Sequence, residues 1–160
     1  TMYVWGKSSL ARQEGLDPRM QKVLARYIQI TDIDTTVVEG KRSDEQCYIN
    51  FGKGRTPAEC TVGKCPTKYA QPKLPKVTWL KFALSSNHRE GKAVDLYPYP
   101  VSLVLGKNSG WEPLFDRIAK FMFQAAKDVG VKIRWGADWD LDNMPRERGE
   151  TDNPHFEVVE

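Results

Sequence analysis

The sequence is poor in several features that would point to common functions. It has only two histidines, and its apolar runs all fall short of the roughly 18 residues that cross a bilayer. Acidic and basic residues are interspersed, and the net charge of +3 gives no basic stripe of the kind that binds nucleic acid. Glycine-rich phosphate loops and dinucleotide fingerprints are absent. We therefore expect neither stable membrane insertion nor nucleic-acid binding.

Both histidines lie in segments that also carry carboxylates. Residues 86–95 read SNHREGKAVD, and residues 152–155 read DNPH. Two imidazoles and one carboxylate can hold Zn²⁺ and leave a fourth position open for a reacting water. We therefore consider His88, Asp95 and His155 as ligands of one zinc ion. The alternative is that they are ordinary core or surface residues, because H-x6-D is a weak pattern by itself.

The local patterns around the two histidines favour the zinc interpretation. Gly91 allows a tight turn after His88, and residues 93–97 then alternate between apolar and polar side chains as in a strand. Residues 155–159 alternate in the same way. We expect the two histidines to meet where these segments lie side by side in one sheet.

The remaining periodicity predicts a small α+β domain. Helices are expected over residues 18–28 and 112–128, the second ending at Gly130. Strands are expected near residues 35–38, 93–97, 132–135 and 156–159, in a small, antiparallel sheet. A chain of 160 residues is expected to form a single domain over residues 1–160.

The two histidine segments also carry a family pattern, S-x-H-x-x-G-x-A-x-D followed far downstream by D-x-x-H. This pattern resembles the zinc-dependent D-Ala-D-Ala carboxypeptidase and L-alanyl-D-glutamate endopeptidase family. Residues 38–46 (VEGKRSDEQ) and 133–139 (IRWGADW) resemble further blocks of its phage endolysin branch. The resemblance implies a Hedgehog/DD-peptidase-like fold, with a small antiparallel sheet flanked by helices and one Zn²⁺ per chain.

The resemblance also implies an activity and assigns roles to further residues. The implied enzyme is an endolysin that cleaves the L-alanyl-D-glutamate bond of peptidoglycan stem peptides. The alternatives are a D-Ala-D-Ala carboxypeptidase or dipeptidase, and a catalytically silent zinc module that binds cell wall. Asp152 matches the family's general base, and Arg42 matches a residue that contacts substrate or developing negative charge, or else forms a structural ion pair. Ser86 either binds substrate or orients the His88 loop.

Residues 52–84 interrupt the resemblance and form an expected insertion rich in proline and lysine. Their composition predicts an irregular loop, either a tolerated surface insertion or a surface that contacts substrate. This stretch holds Cys60 and Cys65, and the third cysteine is Cys47. We expect free thiols; the alternatives are a Cys60–Cys65 disulfide and a second structural metal.

The carboxylates Asp138, Asp140 and Asp142 raise the question of a regulatory Ca²⁺ or a Mg²⁺. This segment lacks the turn glycine and the closing glutamate of a calcium loop, so a solvated loop near the active-site mouth is the favoured interpretation. The expected partner is bacterial peptidoglycan, and the expected state is a monomer. The start of the sequence lacks the pattern of a secretory signal, so we expect the protein to stay in the host cytoplasm until release to the periplasm and cell wall.

Overall fold

The computed structural model describes residues 2–104 and 110–160. The chain forms two compact units, one comprising residues 1–41 and 91–160 and the other comprising residues 42–90. The single-domain expectation stays a prediction. In the described segments, no helix combines the length and the apolar character needed to span a membrane.

The first unit contains three α-helices in its described part: α1 (Lys7–Arg12), α2 (Pro18–Ile30) and α5 (Glu112–Val129). Helix α2 begins where the Asp17 side chain accepts a hydrogen bond from the Arg19 backbone N–H. Helix α5 ends at Gly130, whose φ of 72° is the left-handed conformation that glycine adopts at low cost. The predictions of α2 and α5 are confirmed, whereas the short α1 was missed.

Four strands form an antiparallel sheet in the described part of the first unit. They are β1 (Thr35–Glu39), β2 (Ala93–Pro98), β3 (Ile133–Trp135) and β4 (His155–Val158), arranged in the order β1-β2-β4-β3. All three pairings are antiparallel. The four predicted strands and the α+β fold class are confirmed.

The core of the first unit lies where α2 and α5 pack against each other and against the sheet. Alternate residues of β2 and β4 enter it, namely Val94, Leu96, Phe156 and Val158. Because side chains alternate along a strand, the intervening Asp95 and His155 project from the other face of the sheet. The helices therefore support one face of the sheet, and the polar groups of interest occupy the opposite face.

The second unit contains α3 (Asp44–Gly52), α4 (Pro57–Val62) and a 3₁₀ turn at Thr67–Tyr69. Its own buried cluster consists of Phe51, Cys60, Cys65 and Ala83. The expectation of a wholly irregular loop over residues 52–84 is therefore wrong in part. The missed helix α4 carries a readable signal, because Thr56 and Glu59 form a capping box around Pro57.

The three cysteines form no disulfide, as predicted, and all three are buried. Burial and the neighbouring Cys60 raise the pKa of Cys65 to about 11. A thiol with such a pKa is almost entirely protonated at neutral pH, so Cys65 acts as a small apolar core residue.

Candidate active site

Two of the predicted zinc ligands lie directly opposite each other on neighbouring strands. Asp95 of β2 and His155 of β4 are register partners in the antiparallel pair. The Nδ1 atom of His155 lies 3.4 Å from Oδ1 of Asp95. A pairing shift of one residue would turn either side chain to the helix-covered face, so the sheet register is what brings the two together.

A buried carboxylate holds the other nitrogen of the same histidine. The Oε1 atom of Glu157 lies 2.7 Å from Nε2 of His155, and its Oε2 accepts a 3.0 Å bond from Nη2 of Arg134. This contact fixes the imidazole ring and directs Nδ1 toward Asp95. Sequence reasoning missed this contact of Glu157. The spacing of Glu157 and His155 could have indicated the contact, because residues two apart on a strand project from the same face of the sheet.

The acids around His155 control its protonation. Burial lowers the pKa of His155, but hydrogen bonds to Asp95 and Glu157 and the negative charge of Asp152 outweigh burial and raise the pKa to about 9. The surroundings of His155 therefore stabilise a positive charge on its imidazole. An imidazolium proton can provide that positive charge, and a metal ion on Nδ1 would replace the proton.

Asp152, the predicted general base, lies beside the same imidazole. Its Oδ2 is 3.7 Å from Nδ1 of His155, and its side chain is 51% exposed, so that water can reach the carboxylate. Gly136 holds the backbone at both ends of residues 152–155. Its N–H donates to His155 O (2.8 Å), and its C=O accepts from Asp152 N–H (3.1 Å). A Cβ at Gly136 would lie 2.2 Å from Asp152 O, so only glycine fits this approach.

Asn153 anchors the loop that carries Asp152 and His155. Its backbone C=O accepts a 2.6 Å bond from the Trp135 indole N–H, and its Oδ1 accepts a 2.8 Å bond from Nε of Arg146. Asn153 and Trp135 are both buried. The DNPH segment is thus held by groups from β3 and from the loop around residue 146, and sequence reasoning missed both of these anchors.

The second unit contains the other three residues predicted for the site. Ser86 Oγ accepts a 3.4 Å bond from Nη1 of Arg42 and a 3.2 Å bond from the His88 backbone N–H. The Arg42 backbone N–H donates to His88 O at 2.8 Å. Ser86 and His88 are buried. Within their units, therefore, the structure places Asp95, Asp152 and His155 in one group and Arg42, Ser86 and His88 in another.

The acidic loop that follows β3 is crowded with carboxylates. Asp138, Asp140 and Glu150 each offer an oxygen within 4.8 Å of the others, and so do Asp140, Asp142 and Glu147. Burial raises the pKa of Asp138, with contributions from its neighbours Asp140 and Asp142. The hydrogen bond and the charge of Asp142 likewise raise the pKa of Glu147. Like charges therefore repel one another in this loop.

The half-exposed Asp152 carboxylate lies beside the buried, tightly held His155 imidazole, an arrangement that suits acid–base chemistry. Comparison with known proteins gives the family. The family model described as phage L-alanyl-D-glutamate peptidase matches residues 68–159, more than half of the chain. The chain therefore belongs to this family of phage peptidases.

Individual relatives agree with this assignment. The chain is 29% identical over 162 residues to the L-alanyl-D-glutamate peptidase of Escherichia phage T5, covering 98% of both proteins. It also shares its fold with the L-Ala D-Glu endopeptidase ChiX of Serratia marcescens, at a TM-score of 0.59 and 21% identity over 96% of this chain and 87% of ChiX. A weaker match is VanYB in complex with D-alanine-D-alanine, at a TM-score of 0.45 and 16% identity over 91% of this chain and 72% of that chain.

Proposed function

We propose that this protein is a zinc-dependent endolysin that cleaves the L-alanyl-D-glutamate bond of peptidoglycan stem peptides. Family membership supports the reaction. The observation that carries the metal proposal is the His155 imidazole, whose Nε2 is held by Glu157 while Nδ1 faces Asp95. A fixed ring with one nitrogen bonded to a carboxylate is the usual arrangement of a metal-ligating histidine.

The proposed zinc ligands are His88, Asp95 and His155, with one Zn²⁺ per chain. They offer two imidazole nitrogens and one carboxylate oxygen, a donor set that suits Zn²⁺. When bound, zinc would lower the pKa of a water molecule toward ~7 and polarise the scissile carbonyl. In the proposal His88 contributes from the second unit, where bonds to Arg42 and Ser86 hold its backbone.

Asp152 is the proposed general base. Its half-exposed carboxylate would accept the proton of the attacking water and return it to the amine of D-glutamate as the peptide bond breaks. In the proposal Arg42 stabilises the negative charge that develops on the carbonyl oxygen, or binds a substrate carboxylate. Ser86, whose Oγ accepts bonds from the Arg42 guanidinium and the His88 backbone N–H, would bind substrate or orient the His88 loop.

Digestion of purified peptidoglycan, followed by mass spectrometry of the released ends, tests the reaction. New N-terminal D-glutamate is expected. Released D-alanine or D-alanyl-D-alanine would instead identify a carboxypeptidase or dipeptidase, and binding without cleavage would identify a silent module. In cells we expect the substrate to be reached after release from the host cytoplasm to the cell wall, by a monomeric enzyme.

Zinc content and variant kinetics test the mechanism. The purified protein should carry about one zinc, lost with activity on chelation and restored by Zn²⁺. Asp152→Asn should keep zinc and fold while turnover falls on the order of 10²–10⁴-fold. Asp32→Asn is a matched control, because Asp32 is also exposed and forms an ion pair with Arg117. Near wild-type turnover in Asp152→Asn would exclude Asp152 as the base.

A regulatory Ca²⁺ at the acidic loop stays a hypothesis. Its support is the clustering of carboxylate oxygens, Asp138 and Asp140 with Glu150 and Asp140 and Asp142 with Glu147, because a hard cation prefers clustered oxygen ligands. The test is calcium titration of the zinc-loaded protein, followed by melting temperature and turnover. A response to Ca²⁺ that Asp140→Asn abolishes would support the hypothesis, and no response at millimolar calcium would reject it.

A further inference from the structure

The second unit carries a concentrated positive charge, and apart from Arg42 the proposed reaction does not use it. Residues 42–90 contain nine Lys and Arg against four Asp and Glu, a formal charge of +5 in a chain whose total is +3. Within residues 53–81 the only acid is Glu59, and its carboxylate closes the capping box of α4. The basic character of this protein therefore resides in the second unit.

Large apolar side chains lie exposed among these lysines. In residues 74–82 Trp79 is 78% exposed, Val77 is 51% exposed, and Leu74 and Phe82 are also exposed. Lys73, Lys76 and Lys81 alternate with them and are exposed too. The Nζ atoms of Lys64 and Lys81 lie 5.3 and 5.5 Å from the centroid of the Phe82 ring. We call residues 73–82 the basic apolar segment.

The backbone of the basic apolar segment is held in place although it contains neither helix nor strand. Buried Arg55 donates to Phe51 O at 2.7 Å and to Thr78 O at 2.8 Å, and thereby joins the middle of the segment to α3. Just beyond the segment, Ala83 N–H donates to Gly63 O at 3.0 Å. Because the backbone of the segment is already anchored, a partner that binds its apolar side chains would order little additional backbone, and the entropic cost of binding would be small.

The backbone of Gly54 also approaches the segment closely. A Cβ at Gly54 would lie 2.7 Å from Lys76 N, and Gly54 has a φ of 76°, so only glycine allows this contact. The fold thus holds this stretch in one conformation while leaving Val77 and Trp79 uncovered.

We propose that the basic apolar segment is a binding surface for anionic phospholipid membranes. Lysines attract an anionic headgroup layer, and tryptophan prefers the interface between headgroups and acyl chains. The exposed aliphatic side chains of Leu74 and Val77 favour a lipid over a glycan, because a glycan is bound by stacking on aromatic rings and aliphatic side chains offer no such platform. Binding would be peripheral and would concentrate the enzyme at a membrane that borders the cell wall.

Vesicle co-sedimentation of the full-length protein tests the proposal. Phosphatidylcholine vesicles containing phosphatidylglycerol should bind the protein, pure phosphatidylcholine vesicles should bind it far more weakly, and added salt should weaken binding. A lysine near an anionic surface contributes roughly fivefold to partitioning. The triple variant Lys73→Gln, Lys76→Gln, Lys81→Gln should therefore bind at least about tenfold more weakly. Trp79→Ala should bind several-fold more weakly without any change in charge.

A charge-matched control lies in the first unit, where Lys120, Lys127 and Lys132 are also exposed. Their triple replacement by Gln should leave vesicle binding within about twofold of wild type, because these lysines lie outside the segment. Circular dichroism and melting temperature check that each variant is folded. Equal losses in the two triple variants would overturn the proposal, since net charge alone would then explain binding. So would binding to purified peptidoglycan sacculi but not to vesicles, which would identify cell-wall polymer as the occupant.

Discussion

Replacing Gly136 by alanine tests whether the backbone around β3 positions the proposed base. The added Cβ would lie 2.2 Å from Asp152 O and 2.7 Å from Asp152 Cβ. Ordinary contacts of a Cβ begin at 3.4 Å, so the Asp152 backbone must move by about 1 Å or more. That movement stretches the bonds from Asp152 N to Gly136 O and from Gly136 N to His155 O.

This displacement should lower both the turnover and the free energy of unfolding. A shift of about 1 Å at a reacting group can cost on the order of 10²-fold in rate, so turnover should fall about 100-fold. Overpacking a tight contact typically costs about 1–3 kcal/mol, so the free energy of unfolding should fall by about that amount.

The assay combines peptide-release kinetics, zinc content and chemical denaturation on the same preparations. Gly6→Ala is the matched control, because no atom lies within 4 Å of a Cβ at Gly6. It should leave turnover and zinc content close to wild type, and any loss of stability should come only from the N-cap of α1. Wild-type turnover in Gly136→Ala would refute the reasoning, whereas lost stability with intact turnover would show that Gly136 supports the fold but does not position Asp152.

Three further predictions concern other parts of the first unit. Glu157→Gln should lower the zinc affinity of the site about 10–100-fold. The affinity is measured by chelator competition over a series of pH values, so that the effect of His155 protonation can be subtracted. Unchanged affinity would mean that the Glu157 contact does not support the metal. Hydrogen bonding by Arg19 lowers the pKa of Asp17 from 3.8 to about 2, so the stability that Asp17 contributes is present above pH 3.8 and disappears as pH falls through about 2. Asp17→Ala should therefore destabilise by about 1 kcal/mol at neutral pH. The difference, measured by denaturation at each pH, should shrink as pH falls below 3.8 and be lost only below about pH 2; a constant difference would contradict the pKa. Met122→Ala should cost about 2–5 kcal/mol in urea denaturation because Met122 is fully buried, and a cost below about 1 kcal/mol would show a loosely packed core.

Much of the fold could be predicted because local rules and tertiary packing agree. Helices α2 and α5 have apolar faces at helical spacing, and each has a readable end, Asp17 for α2 and Gly130 for α5. The four strands show period-two alternation or short apolar runs. Helix α1 was missed, because at six residues it is too short for periodicity to identify. Helix α4 was missed because proline and lysine dominate the composition around it.

The sequence by itself, through its family resemblance, predicted the chemistry of this protein. The pattern S-x-H-x-x-G-x-A-x-D with D-x-x-H, which resembles that of a zinc peptidase family, predicted His88, Asp95 and His155 as zinc ligands and Asp152 as the base. Residue type makes these roles possible, because imidazole nitrogen and carboxylate oxygen bind zinc and a carboxylate can accept a proton. The family resemblance selects these residues from the other acids of the chain.

Only the tertiary structure decided how those groups meet. The register of β2 against β4 places Asp95 opposite His155, and strand pairing depends on contacts between residues sixty positions apart in the sequence. The same holds for the close approach of Gly136 to Asp152 and for the bond from Arg55 to Thr78. Each of these contacts joins residues that no local propensity connects, so they form only when the core brings the segments together.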